Sequence, residues 1–508
     1  MPRRTAALLA ILVLTAASCA RTEPSVEPTG DPSPAPTATP TRTERARPPI
    51  ELGGVPLASC RLRSIEAQCG SLAVPEDPDD PTGRRIELRV AVIPAETDTP
   101  EPDPVFMLAG GPGGAATEAM TWTATTFRGI HAVRDIVLVD QRGTGGSNAL
   151  WLGAVPDVAG LSEAEADATL RTWAEARLAE LDGDPRFYTT SVAMDDLDAV
   201  RSALGHDLIN LVGVSYGATA AQYYVRQHGE HLRSVVLDGA TLLDVPIFEV
   251  MAAASQQALD LLFERCAADD ACAAAFPTLP ADFDAAAAAV ARGPIETTVV
   301  DPFSGTPVVI DPLLFANAVH GALLNADTAA ALPLLIRAAA DGRWDDVAGA
   351  ILAASGGRPP ESGYPVMSAV IRCSERWADF DPEDVVRRGA GSYYLDVQVE
   401  TARAQAAACR LAPPGIVPPN DAEPASSNVP LLFVVGEADP QDPPSNVADA
   451  PTHFPNSRTI VVPGHGHTVT HLGCMPAVVD AFIAAGSADG LDTSCVPEEM
   501  PIPPFRVQ

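Results

Sequence analysis

Seven stretches of this chain are predominantly apolar, most of them without alternation: residues 86–93, 104–109, 135–140, 208–214, 234–238, 430–435 and 459–462. A strand with one face in water alternates polar and apolar side chains, whereas a strand covered on both faces reads as a continuous apolar run. Helical patterns lie between most of these stretches, and strands alternating with helices build a mainly parallel sheet with helices on both faces. The expected fold class is therefore α/β. Chemistry on such a sheet is expected in the loops that follow the strands.

The most informative of those loops is in L-I-N-L-V-G-V-S-Y-G-A-T, residues 208–219. An apolar run breaks at Gly213-Val214-Ser215-Tyr216-Gly217, and a helix-compatible stretch follows. This is the strand–turn–helix context of a G-x-S-x-G nucleophile elbow, with Ser215 as the candidate nucleophile at a helix N-terminus. Side chains at 213 and 217 would clash with the neighbouring strand and helix. The chain contains no lysine, all 33 basic residues being arginine, so an activated serine here needs histidine as its base.

Upstream, P-V-F-M-L-A-G-G-P-G-G, residues 104–114, is a strand ending in a glycine-rich turn. Its backbone N–H groups suit an oxyanion hole completed by the amide of Tyr216, with Gly111 as the upstream donor. A dinucleotide-binding turn fits poorly, because Pro112 lacks an N–H and no acidic residue closes a following strand. Next comes D-I-V-L-V-D-Q-R-G-T-G-G-S, residues 135–147, a buried strand and a tight polar loop.

Together, G-G-P-G, D-Q-R-G-T-G-x-S and G-x-S-Y-G-x resemble the proline iminopeptidase and tripeptidyl aminopeptidase branch of the α/β-hydrolases. The resemblance covers most of residues 50–508 in three separated blocks. Ala109 stands where proline iminopeptidases usually carry histidine, a departure that bears on specificity and not on the fold.

The family order is nucleophile, acid, histidine. Downstream of Ser215, V-P-L-L-F-V-V-G-E-A-D-P-Q-D-P-P, residues 429–444, is a strand delivering Asp439, with Asp442 as a spare carboxylate. S-R-T-I-V-V-P-G-H-G-H-T, residues 457–468, is another strand ending in a loop with two histidines, His465 and His467. The resembling family reads G-x-x-D-P and G-x-G-H here, which implies Asp439 as the acid and His467 as the base. A metal site built from His465, His467 and His471 lacks a second ligand cluster, and no metal or other cofactor is expected.

Residues 241–425 carry Ala-rich helical patterns in place of such strands and are expected to be a helical cap inserted between two parts of the core, 50–240 and 426–508. In the resembling aminopeptidases acidic cap residues hold the substrate's free amine. I-R-C-S-E-R-W, residues 371–377, supplies Glu375 as the candidate, with Trp377 lining the same pocket. The plainer alternative for Glu375 is an ion pair with an arginine such as Arg372. The remaining histidines, His320 among them, read as surface or helix-end residues.

A formal charge of −33 argues against nucleic acid as a partner, since a phosphate backbone needs a cationic face. Residues 1–18 carry Arg3 and Arg4, an apolar run and small residues, the pattern of a secretory signal. Cys19 follows, in a context resembling a bacterial lipobox with Ala16 where leucine is commonest. Residues 19–49, rich in Pro and Thr, read as a tether. The expectation is export to a bacterial envelope, either lipid-anchored through Cys19 or secreted.

Eight of the nine cysteines remain once Cys19 is set aside, and an even number in an exported chain suggests disulfides. Sequential pairing gives Cys60–Cys69, Cys266–Cys272, Cys373–Cys409 and Cys474–Cys495. The expected activity is a serine aminopeptidase acting through an acyl-enzyme on peptides with free N-termini; a carboxylesterase using the same three residues is the alternative.

Overall fold

The structure, a computed structural model, describes residues 48–156, 158, 161–354, 366–375, 380–421, 423–500 and 502–507. The expected signal segment, Cys19, almost all of the tether and Trp377 lie outside these residues.

Thirteen strands occur among the described residues: β1 (Glu51–Leu52), β2 (Val55–Pro56), β3 (Ala58–Leu62), β4 (Ile65–Pro75), β5 (Arg85–Ile93), β6 (Val105–Leu108), β7 (Ile136–Val139), β8 (Ile209–Val214), β9 (Leu232–Asp238), β10 (Ile295–Val300), β11 (Pro307–Ile310), β12 (Leu431–Gly436) and β13 (Ser457–Val462). Nine of them form one sheet in the order β13-β12-β9-β8-β6-β7-β5-β4-β3. The six strands from β13 to β7 pair in parallel, and β5, β4 and β3 add an antiparallel edge.

The continuous apolar runs have the physical meaning expected of them. Phe106, Val137, Leu211, Val235 and Phe433 point into one core, while Val105, Leu138, Val212, Val236 and Leu432 point into another on the opposite face. Successive strand residues face opposite sides, so a strand buried on both must be apolar throughout.

Register aligns the strand ends. Leu108 pairs with Gly213, Val214 with Asp238, Val434 with Asp238 and Gly436 with Val462. The loops after β6, β8, β9, β12 and β13 therefore leave the sheet together at its carboxyl edge, where ligand sites of open α/β sheets gather.

Between β9 and β12 the chain is mainly helical, with one antiparallel hairpin, β10 and β11, that the sequence reading did not anticipate. This region has a core of its own, including Leu259, Leu262, Phe276, Phe283, Phe315 and Ile336. Its helix Pro312–Leu323 begins with the expected chemistry: Pro at the first turn, and Asp311 accepting the N–H of Leu314 at 2.8 Å. The four cysteine pairs Cys60–Cys69, Cys266–Cys272, Cys373–Cys409 and Cys474–Cys495 are bonded.

Candidate active site

β8 ends at Val214, and the chain turns directly into helix Tyr216–His228. Ser215 occupies the turn with φ 57° and ψ −125°, a conformation that costs an L-residue about 1–3 kcal/mol. Its surroundings hold it there. The Ser215 N–H donates to the Asp238 carbonyl at 2.8 Å. A Cβ at Gly213 would run into the Gly217 carbonyl, and one at Gly217 into the Leu108 carbonyl, so both positions need glycine. The result is a hydroxyl raised at the positive end of a helix.

The glycine-rich turn after β6 lies against this serine. A Cβ built on Gly110 would come within 3.0 Å of the Ser215 Cβ, and Gly111 next to it has φ 137°. Gly111 follows the residue that approaches Ser215, and Tyr216 follows Ser215 itself, so the two candidate amide donors lie on the two segments that meet here. The loop after β7 braces them. Asp140 accepts the Thr117 N–H at 2.8 Å, the Thr117 hydroxyl at 2.9 Å and the Gly146 N–H at 3.0 Å, joining the two loops. Arg142 is fully buried and donates to both oxygens of Asp196, at 2.7 and 2.8 Å, and to the carbonyls of Glu76 and Phe187.

The structure brings Asp439 and His467 together. His467 Nδ1 lies 2.8 Å from Asp439 Oδ2, and Asp439 Oδ1 accepts the N–H groups of Gln441 and Asp442, both at 2.9 Å. The His467 ring sits over Gly239, whose predecessor Asp238 receives the Ser215 N–H. Serine and imidazole are therefore assembled on the same two residues, Asp238 and Gly239. The Asp238 carboxylate holds the histidine loop, accepting the Val469 N–H at 2.8 Å and the Thr470 N–H and hydroxyl at 3.1 and 2.6 Å. His467 Nε2 has no hydrogen-bond partner among the described residues. His465 is buried instead, and its carbonyl accepts the Ala438 N–H at 2.8 Å.

Electrostatics follow from this packing. Burial alone would discharge His467, but the charge and hydrogen bond of Asp439, joined by the charges of Asp442 and Asp238, outweigh it and hold the imidazole proton to about pH 9. Burial pushes Asp439 up, while the imidazolium and two backbone N–H groups bring it net below the usual carboxylate range. Burial raises Asp442 to about 6. Ligand atoms of Asp439, Asp442 and His467 lie within 4.8 Å of one another, as a cation site would require. Hydrogen bonds within the cluster already engage that carboxylate pair and His467 Nδ1.

Glu375 is buried, 4% exposed, at the end of helix Val366–Ser374. It does not stand apart. Its two oxygens accept the Thr190 N–H at 2.6 Å and the Thr190 hydroxyl at 2.7 Å, leaving the Tyr216 hydroxyl to donate to Thr190 Oγ1 at 2.7 Å. A carboxylate from the inserted region is thereby connected to the residue beside Ser215. Burial, then the Glu375 charge, pushes the Tyr216 phenol well up.

Two features of the inserted region were not legible in the sequence. His320 lies in the last turn of helix Pro312–Leu323, but it is 3% exposed and not on the surface. It shares a hydrogen bond with the Ser255 hydroxyl at 2.9 Å and stacks on Tyr394, and burial lowers it to about 4. Leu324, at the end of that helix, accepts the His467 N–H at 2.8 Å. A side chain at Gly466 would strike the Leu323 and Leu324 carbonyls, which explains the glycine before His467.

The fold and its strand-end loops define an α/β-hydrolase. The family model described as alpha/beta hydrolase fold matches residues 103–473, and the chain belongs to that family. "Serine protease Hip1" of Mycobacterium tuberculosis is 30% identical over 194 residues, 34% of this chain and 36% of that protein. "Tripeptidyl aminopeptidase" of Streptomyces coelicolor is 30% identical over 188 residues, 34% of each. The matched stretch thus spans about a third of the length of these curated relatives. Among solved structures, proline iminopeptidase of Mycobacterium smegmatis aligns with 82% of this chain and 98% of its own, at 18% identity and a TM-score of 0.36.

Proposed function

We propose that the chain is a serine hydrolase of the peptidase kind, an aminopeptidase that releases residues or short peptides from free N-termini. The observation that carries this reading is the assembly of Ser215, in its strained turn, and the His467–Asp439 pair on Asp238 and Gly239. Ser215 Oγ attacks the scissile carbonyl while His467 Nε2 takes its proton and returns it to the leaving amine. Asp439 keeps the Nδ1 proton in place and faces the imidazolium. The amides of Gly111 and Tyr216 receive the oxyanion, and water then releases the acyl-enzyme by the same route reversed.

Glu375 supports the exopeptidase part. It is a buried anion one hydroxyl away from Tyr216, and an N-terminal ammonium close to the scissile bond needs such a charge. The names of the two relatives point the same way. The leader-like first residues and the four disulfides support export to an oxidising compartment, with Cys19 as a lipid anchor.

Purified protein should be compared on a free-amine tripeptidyl anilide, its N-acetylated twin and a short acyl ester. Cleavage of the free-amine peptide alone, lost in Ser215→Ala, is the expected outcome. Turnover of the ester alone would keep Ser215 and replace the peptidase reading with an esterase. A free-amine preference that persists in Glu375→Gln would remove Glu375 from amine recognition.

A further inference from the structure

The turn that delivers Asp439 brings a second carboxylate to the same imidazole. Asp442 Oδ2 lies 3.6 Å from His467 Nδ1, against 2.8 Å for Asp439 Oδ2. Both acids are buried, 1% and 3% exposed. Asp442 is held in this place by side chains that do nothing for Asp439. The Thr241 hydroxyl donates to its Oδ1, Gln441 Nε2 donates to its Oδ2 at 3.0 Å, and Asn446 Nδ2 donates to Thr241 Oγ1 at 2.8 Å. A buried carboxylate is costly unless a cation or several donors face it, and the cation that Asp442 faces is His467.

We propose that Asp442 is a positioning residue of the site, a second acid that shares His467 with Asp439 and substitutes for it when Asp439 is lost. This rests on the reading of Ser215, His467 and Asp439 given above. A single acid would leave Nδ1 without an anionic partner once removed. Here, closing a gap of less than an ångström gives Nδ1–H another carboxylate acceptor and keeps the tautomer that presents Nε2 to Ser215. The groups facing His467 are Asp439 and Asp442 from the loop after β12, Asp238 from the end of β9, and His320 from the inserted helices. Burial keeps His320 neutral, so three acids face one cation. Removing Asp442 therefore loosens the imidazole proton.

The experiment uses the full chain and the variants Asp442→Asn, Asp442→Ala, Asp439→Asn and Asp439→Asn/Asp442→Asn, each checked by thermal melting. Two readouts are taken: the pH dependence of kcat/KM on the anilide substrate, and the titration of the His467 ring followed by NMR. In both Asp442 variants the acid limb and the ring titration should move down by about half a pH unit or more. The double variant should fall at least about tenfold below Asp439→Asn. An unmoved ring titration, or a double variant no slower than Asp439→Asn, overturns the proposal. If Ser215→Ala keeps its turnover, the triad reading fails; the ring titration still decides whether Asp442 acts on His467.

Discussion

On the proposed reading His467 is the general base, which accepts a proton only when neutral, and it holds its own proton to about pH 9 because Asp439 and Asp442 both face it. The rate on any substrate should therefore climb through neutral pH and level off near 9, which a kcat/KM profile from pH 6 to 10 would test. The same shift bears on stability. His467 titrates above its unfolded value of about 6.5, so its contribution is complete below that pH and is lost as pH rises through about 9. Asp442 is also raised, from 3.8 to about 6, and its contribution disappears between those values. At pH 8 its ionised form opposes folding, so Asp442→Asn should melt higher there and match the parent near pH 4. Arg142 behaves oppositely. With its guanidinium buried on Asp196 and three carbonyls, Arg142→Met leaves a buried carboxylate unpaired and should cost about 3–5 kcal/mol, read from denaturant unfolding.

The nucleophile elbow shows how much an element's fit depends on two missing side chains. Gly217→Ala places a methyl on the Leu108 carbonyl and must push β6 and helix Tyr216–His228 apart, so loss of serine-directed phosphonate labelling and a lower melting point are expected together. Helices Val366–Ser374 and Leu395–Cys409 are linked by Cys373–Cys409, which spans 36 residues. Cys373→Ala/Cys409→Ala should cost about 2–4 kcal/mol on melting and, by loosening Glu375, raise KM for free-amine peptides more than it lowers kcat. These elements differ in how plainly they are written. The parallel strands were legible because both faces are buried and every residue of Ile136–Val139 or Leu431–Gly436 must be apolar. β4 was not: its burial alternates irregularly over Gln68, Gly70 and Ser71, and an antiparallel strand half in solvent, here between β5 and β3, carries no continuous signal. Ser215 could be named as a candidate from the glycines its turn needs, whereas Asp439 and His467 were chosen over Asp442 and His465 through the G-x-x-D-P and G-x-G-H patterns of the resembling family. Thr190 under Glu375, Leu324 over His467 and the approach of Asp442 to Nδ1 arise between segments far apart in the chain, and only the fold juxtaposes them.

At the level of the whole molecule, the inserted helices have their own core yet are fastened to the sheet at the histidine loop. Leu324 receives the His467 N–H, Gly466 lies under the Leu323 and Leu324 carbonyls, and Arg265 of helix Ile247–Ala268 donates to the Gly464 carbonyl at 3.0 Å. Among the described residues no helix is long and apolar enough to cross a membrane. A formal charge of −33 should draw cationic substrates at low salt, so kcat/KM for free-amine peptides should fall as ionic strength rises while the acetylated twin responds less. The fastening at the histidine loop has an evolutionary cost. In a hydrolase whose cap touches only the substrate, the pocket can drift toward new substrates while the chemistry stays as it was. If the inserted helices shape recognition, as the proposed function has them do, they also hold the backbone of His467, so selection on preference is selection on reactivity, and variants chosen for a new substrate will pass through altered turnover before they recover it.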